Sequence, residues 1–202
     1  MRKYLLVSIC LCTSACIPTL FAGAVRTGAV ATEERSFGGA VDDGIIHTTI
    51  TEGFLRSDVN DLLINVTVRV HEGRALLTGS TPNQKTAQTA VTVAWRAKGI
   101  KEVINEIQIG PATGIKEVAN DSYLENQIEV KLIATKNIRS NNYTIEVCNA
   151  VAYIIGTAQD GAEINRVINV ARYIKGVKRV VSHVRTKNDP LRVGRPDLNK
   201  PA

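Results

Sequence analysis

Chemistry at a protein site needs groups that converge: a nucleophile beside a base, two carboxylates across a cleft, or histidines and cysteines at ligand spacing. This chain offers its three histidines singly. His47, His71 and His183 show no metal-ligand spacing among themselves or with Cys148, and each reads as a surface or sheet-face residue. Cys148 lies in an alternating, strand-like stretch and reads as a buried, inert thiol. Asp42-Asp43 is a carboxylate pair, but it stands just before the first helical pattern, where acids cap free backbone N–H groups. There is no Gly-x-Ser-x-Gly elbow, Ser-x-x-Lys pair, Walker loop or Gly-x-Gly-x-x-Gly turn. The sequence offers no active site, no metal site and no cofactor, and the chain reads as a non-enzyme.

The question then becomes what surface the chain presents. Its 202 residues are 44% hydrophobic, 22% charged and only 4% aromatic. That balance is globular, and so few rings argue against base stacking or an aromatic sugar platform. Lys and Arg outnumber Asp and Glu 25 to 19, a net charge of +6. The two signs are interspersed, and the excess is too weak to specify nucleic acid. No run reaches the roughly 18–20 apolar residues of a membrane-spanning helix.

The body of the chain repeats itself. Asp43-Gly44-Ile45-Ile46 aligns with Asp121-Ser122-Tyr123-Leu124, and Val66/Val68/Val70 with Tyr143/Ile145/Val147. Gly79 aligns with Gly156, and Lys98-Gly99-Ile100-Lys101-Glu102-Val103 with Lys175-Gly176-Val177-Lys178-Arg179-Val180. Each copy opens with an amphipathic helix, carried by Ile46, Ile50 and Phe54 or by Leu124, Ile128 and Leu132. A period-two strand follows, turns at Glu72-Gly73 in the first copy, and returns as a second strand. A second helix is expected to start at Thr81-Pro82, or near Asp160, and to stop at Gly99 or Gly176. A third strand closes each unit. The predicted fold is α+β: two αββαβ units, each with helices on one face of a three-stranded mixed sheet. Units of about 68 residues have marginal cores, so the copies are expected to pack together. Trp95 is expected in core or interdomain packing.

The difference between the copies is informative. In the first helix of copy two, Tyr123, Gln127, Val130 and Ala134 lie opposite the core stripe, with Lys131 and Ile133 on the shoulders. Copy one carries Ile45, Thr49, Glu52 and Arg56 there, with Gly53 and Leu55 on the shoulders. Copy two thus has a second apolar stripe with an amphipathic ring and a lysine beside it. Such a stripe either packs against copy one or lies in a membrane interface, the ring at headgroup depth and cations near phosphate. Lys116, Lys136 and Arg139 stand near its ends; Glu125 and Glu129 count against a lipid face.

The start of the chain has a basic Arg2-Lys3, an apolar run to Cys12 and small residues before Cys16, the pattern of a secretory signal peptide. It resembles a bacterial lipoprotein signal, with Cys16 as the lipidated first mature residue, although Thr13 stands where leucine is usual. Ordinary secretion is the other reading. Ile17, rather than aspartate, follows Cys16, which by that resemblance implies the outer membrane. Only Cys148 remains in the body, so no internal disulfide is expected.

The αββαβ unit, its strand-end glycine and its Lys-Gly-Ile/Val-Lys-x-Val close resemble the BON domain. The ordered set also resembles the DolP-like family of dual BON-domain outer-membrane lipoproteins. The matches are Glu34-Arg35-Ser36-Phe37-Gly38, Val41-Asp42-Asp43-Gly44, Ile64-Asn65-Val66-Thr67, Asn105-Glu106-Ile107 and Ala119-Asn120-Asp121-Ser122. The expected division is a signal peptide (1–15), lipidated cysteine and tether (16–41), first domain (42–110), linker (111–118), second domain (119–187) and a disordered tail (188–202). The resemblance implies a lipid-anchored protein facing the periplasm and supporting outer-membrane integrity, with enrichment at the division site. It also implies that the second domain binds anionic phospholipid, notably phosphatidylglycerol, through its first helix. The family's aromatic falls on Tyr123, where tryptophan is usual, its aliphatic on Ile133, and the polar residue two before that on Lys131. A protein-interaction scaffold for assembly or division machinery is the alternative.

Overall fold

The structure, a computed structural model, describes residues 37–57 and 62–193. The expected signal peptide, Cys16, most of the expected tether and the end of the expected tail lie outside the described residues. The first unit contains α1 (Phe37–Leu55), a short α2 (Leu62–Asn65), β1 (Val66–His71), β2 (Arg74–Thr81), α3 (Gln84–Trp95), β3 (Glu102–Asn105) and β4 (Gln108–Ile109). The second contains α4 (Ile115–Ala134), a 3-10 turn at Ser140–Asn142, β5 (Tyr143–Cys148), β6 (Val151–Ala158), α5 (Gly161–Arg172) and β7 (Arg179–Thr186). A last short helix, α6 (Pro190–Val193), follows.

Both units have the expected αββαβ order. In each, a hairpin pairs the first two strands antiparallel, and a helical crossover brings the third strand parallel to the second. β4 extends the first sheet by pairing with the end of β2. The helical stripes are buried as read: Ile46, Ile50 and Phe54 in one unit, Leu124, Ile128 and Leu132 in the other. They cover one face of each sheet, against Val66, Val68, Ala75 and Leu77 in the first and Ile145, Val147, Ala152 and Ile154 in the second.

The opposite faces of the sheets meet each other. Leu76 and Ile104 of the first unit join Cys148, Val151, Tyr153, Ile155 and Val181 of the second in one apolar cluster. The layers therefore run helices, sheet, sheet, helices. This explains why every residue of β6 is buried: a central strand covered on both faces has no solvent side.

Several element assignments change. α1 starts at Phe37, so residues 37–41 are helix rather than tether, and Asp43 lies inside it instead of capping its start. Its carboxylate accepts from the backbone N–H groups of Glu72 and Gly73, both at 2.7 Å. The α3 cap is Asn83, which accepts from Thr86 N–H, because Thr81 is still in β2. α4 starts at Ile115, inside the expected linker. The expected tail contains α6. Trp95 is 52% exposed at the end of α3 rather than packed in a core or seam.

Candidate functional site

The residues singled out on the second copy's first helix all lie on the outside of α4. Leu124, Ile128 and Leu132 anchor one side of that helix, and Asp121, two turns in from its start at Ile115, ties it to the second hairpin. The Asp121 carboxylate accepts from the N–H groups of Asn149 (2.7 Å) and Ala150 (2.8 Å) at the β5–β6 turn. With the inward side fixed, Tyr123, Val130 and Ile133 stand 60%, 65% and 70% exposed. Gln127, Lys131 and Ala134 are exposed with them. The stripe is not packed against the first unit, which meets the second through its sheet. Near the start of the same helix, Ile115 and Val118 are also exposed.

The acids of α4 are distributed unequally. Asp121 is used by the turn, and Glu125 is directed to the domain seam. Glu125 lies 3.7 Å from Arg69 of β1, and its carboxylate accepts from Val147 N–H at 3.4 Å. Burial, with Glu146 nearby, pushes Glu125 up to about 7. Glu129 and Glu117 remain exposed along the helix, and Lys116, Lys131 and Lys136 supply positive charge on or just beyond it.

The sequence reading missed the polar rim of the seam. Arg69 donates to Glu146 at 2.7 Å, and His71 meets Thr157 at 3.0 Å. Arg74 and Arg185 share Glu102, at 2.9 and 2.7 Å, and His183 meets Glu106 at 2.9 Å. Two of the three histidines are thus sheet-face residues inside the seam. Cys148 is buried there too, and burial raises its thiol pKa. A cleft of about 810 Å³ lies beside α1, bordered by Asp42, Ile45, Glu72, Lys98, Lys101 and Arg192. Among the described residues no group of histidine, cysteine and acid side chains is placed to hold a metal. No helix among them is long and apolar enough to cross a membrane.

Residues 42–111 and 120–188 each match the BON domain. A protein from Anaplasma centrale described as "Uncharacterized protein in gshII 5'region" is 39% identical over 153 residues, 75% of this chain and 99% of that protein. The outer membrane lipoprotein DolP of Haemophilus influenzae is 23% identical over 166 residues, 82% of this chain and 86% of that one. The 21 kDa hemolysin of Actinobacillus pleuropneumoniae is 26% identical over 149 residues, 74% and 76% of the two chains. With two copies of the αββαβ unit seated back to back, the chain belongs to the BON-domain family as a dual-domain, DolP-like member.

Proposed function

We propose that this chain is a non-enzymatic cell-envelope lipoprotein, held at the outer membrane through Cys16, that binds anionic phospholipid through the outer face of α4 and thereby supports membrane integrity. The observation that carries the reading is the exposed stripe of Tyr123, Val130 and Ile133 on a helix whose opposite side is fully engaged. An exposed phenol ring beside aliphatics suits the headgroup boundary, where the ring is amphipathic and the methyl groups reach deeper. Lys131 and Lys116 supply attraction to a negative surface, while Glu125 is withdrawn toward Arg69 and does not oppose it. The likeness to the outer membrane lipoprotein DolP supports the location.

The test is co-sedimentation of residues 17–202 with phosphatidylglycerol or phosphatidylcholine vesicles, for the wild type, Tyr123→Ala and Ile133→Glu, each checked for native circular dichroism. Binding that needs phosphatidylglycerol, falls with salt and is lost in both variants supports the lipid face. Absence of binding by folded wild type, or binding untouched by either substitution, makes the stripe a protein-docking surface for envelope machinery instead.

A further inference from the structure

The chain continues past its second BON domain, and the continuation turns back onto the first. Lys187 N–H donates to Ala158 O (2.8 Å), Asp189 N–H to Thr186 O (3.0 Å) and Arg192 N–H to Asp189 O (2.9 Å), so the exit from β7 is a built turn. From α6, Arg192 reaches the β1–β2 hairpin of the other domain. Its Nε and Nη2 donate to the two carboxylate oxygens of Glu72, both at 2.7 Å, and its Nη1 donates to Lys187 O at 2.7 Å. The two side chains are only 19% and 17% exposed. A two-pronged guanidinium–carboxylate pair shielded from water is among the strongest polar contacts a chain can make.

The duplication shows what this contact corresponds to. Glu72 aligns with Asn149; both open a tight turn and both have positive φ, 54° and 53°. Asn149 is held by Gln108, at 3.0 Å, from the strand that leaves the first domain. Glu72 is held by Arg192, from the segment that leaves the second. Each hairpin is thus held by the exit of the other domain. The first hold comes with the linker, whereas the second exists only because the chain runs on beyond the repeat.

We infer that the C-terminal extension is a clasp that closes the two BON domains onto each other, with the Arg192–Glu72 pair as its fastening. It fixes the orientation of α4 relative to α1 and so to the point where the tether enters. The clasp acts in the same way whatever the outer face of α4 binds.

Cys148 provides the readout. It is 7% exposed within the apolar seam, with Gly79 and Thr113 beside its thiol, at the linker end and away from α6. Its alkylation therefore reports separation of the domains rather than fraying of the extension. The experiment measures Cys148 alkylation in the full chain by peptide mass spectrometry. It compares wild type, Arg192→Gln, a stop after Lys187, and the charge exchange Glu72→Arg with Arg192→Glu. Loss of a shielded charge-assisted pair should speed alkylation roughly ten- to a hundredfold in the first two variants, and the exchange should bring it back toward wild type. Unchanged alkylation in folded Arg192→Gln and truncated chains overturns the clasp. Faster alkylation that the exchange does not reverse overturns the assignment of the fastening to this pair.

Discussion

Arg69 of the first domain donates to Glu146 of the second at 2.7 Å, and the same guanidinium lies 3.7 Å from Glu125. One cation therefore serves two carboxylates from two elements of the opposite domain. Removing it leaves Glu146, whose side chain is only 10% exposed, with the Thr67 hydroxyl beside it but no cation. Arg69 itself is 38% exposed, so water screens part of the effect. Arg69→Met is expected to cost about 1–2 kcal/mol, read as a lower urea midpoint. Adding Glu146→Gln should restore most of the loss, because the stranded charge then disappears. A double variant no more stable than the single one would show that Arg69 acts through packing instead.

The strand-end glycines are a backbone requirement. A Cβ at Gly79 would collide with the carbonyl of Asn65, and one at Gly156 with the carbonyl of Asn142. Gly79 also has φ of +124°, which side-chain-bearing residues rarely adopt. At both positions the residue preceding the first strand crosses over the second strand too closely for a methyl group. Gly156→Ala should therefore destabilise the second domain by about 2–4 kcal/mol, measured by thermal unfolding. A loss within ~0.5 kcal/mol would mean that the Asn142 carbonyl can move aside freely.

The fold was legible in the sequence because the duplication let each copy check the other. Ile46, Ile50 and Phe54 alone suggest a helix; their repetition as Leu124, Ile128 and Leu132 identifies the inward face. The seam was less legible, since Arg69, His71, Arg185 and His183 look like the solvent side of alternating strands. The available signal was Val151-Ala152-Tyr153-Ile154-Ile155, which does not alternate and so announces a strand covered on both faces. Asp43 was misread because helix caps are local while its partners, Glu72 and Gly73, come from a distant turn. The α4 stripe was visible only as a difference between copies: Glu52 against Val130 and Gly53 against Lys131.

Asp43 and Asp121 hold the two hairpin turns in the same way, each carboxylate spanning two successive N–H groups. The second turn needs the support more. Its residues Asn149 and Ala150 both have positive φ, 53° and 63°, and neither is glycine, whereas the first turn has Gly73. Left-handed backbone costs about 1–2 kcal/mol in a residue with a Cβ. Asp121→Ala is thus expected to cost about 2–4 kcal/mol, and more than Asp43→Ala in the same protein. Paired denaturation curves check the order; the reverse order would mean that turn strain is unimportant.

Val130 lets the proposed lipid binding be tested apart from folding. It is 65% exposed on α4 and stands where the first copy has Glu52. Val130→Glu should change stability by no more than ~0.5 kcal/mol while abolishing sedimentation with phosphatidylglycerol vesicles. The converse change, Glu52→Val, should not create a second lipid face, because Lys131 has only Gly53 as its counterpart. Undiminished vesicle binding by Val130→Glu would remove this part of the helix from the interface.

The seam should also respond to pH through Glu125. Burial, then the neighbouring Glu146, raise its carboxyl to about 7 against Arg69, which lowers it; Glu129 on the same helix adds to the rise. Burial likewise raises Glu146, although Arg69 opposes it. In the unfolded chain Glu125 ionises near 4.5, so between there and about 7 the folded state binds more protons. The Glu125 contribution to stability is then greatest below that window, falls as pH rises through it, and levels off above about pH 7–8. His47, whose pKa burial and Arg69 lower, works in the opposite direction below about pH 6.5, so the comparison is between proteins. From pH 5 to 8 the urea midpoint of the wild type should fall relative to that of Glu125→Gln, which should be the more stable protein at pH 8. An unchanged slope in Glu125→Gln would place the proton elsewhere.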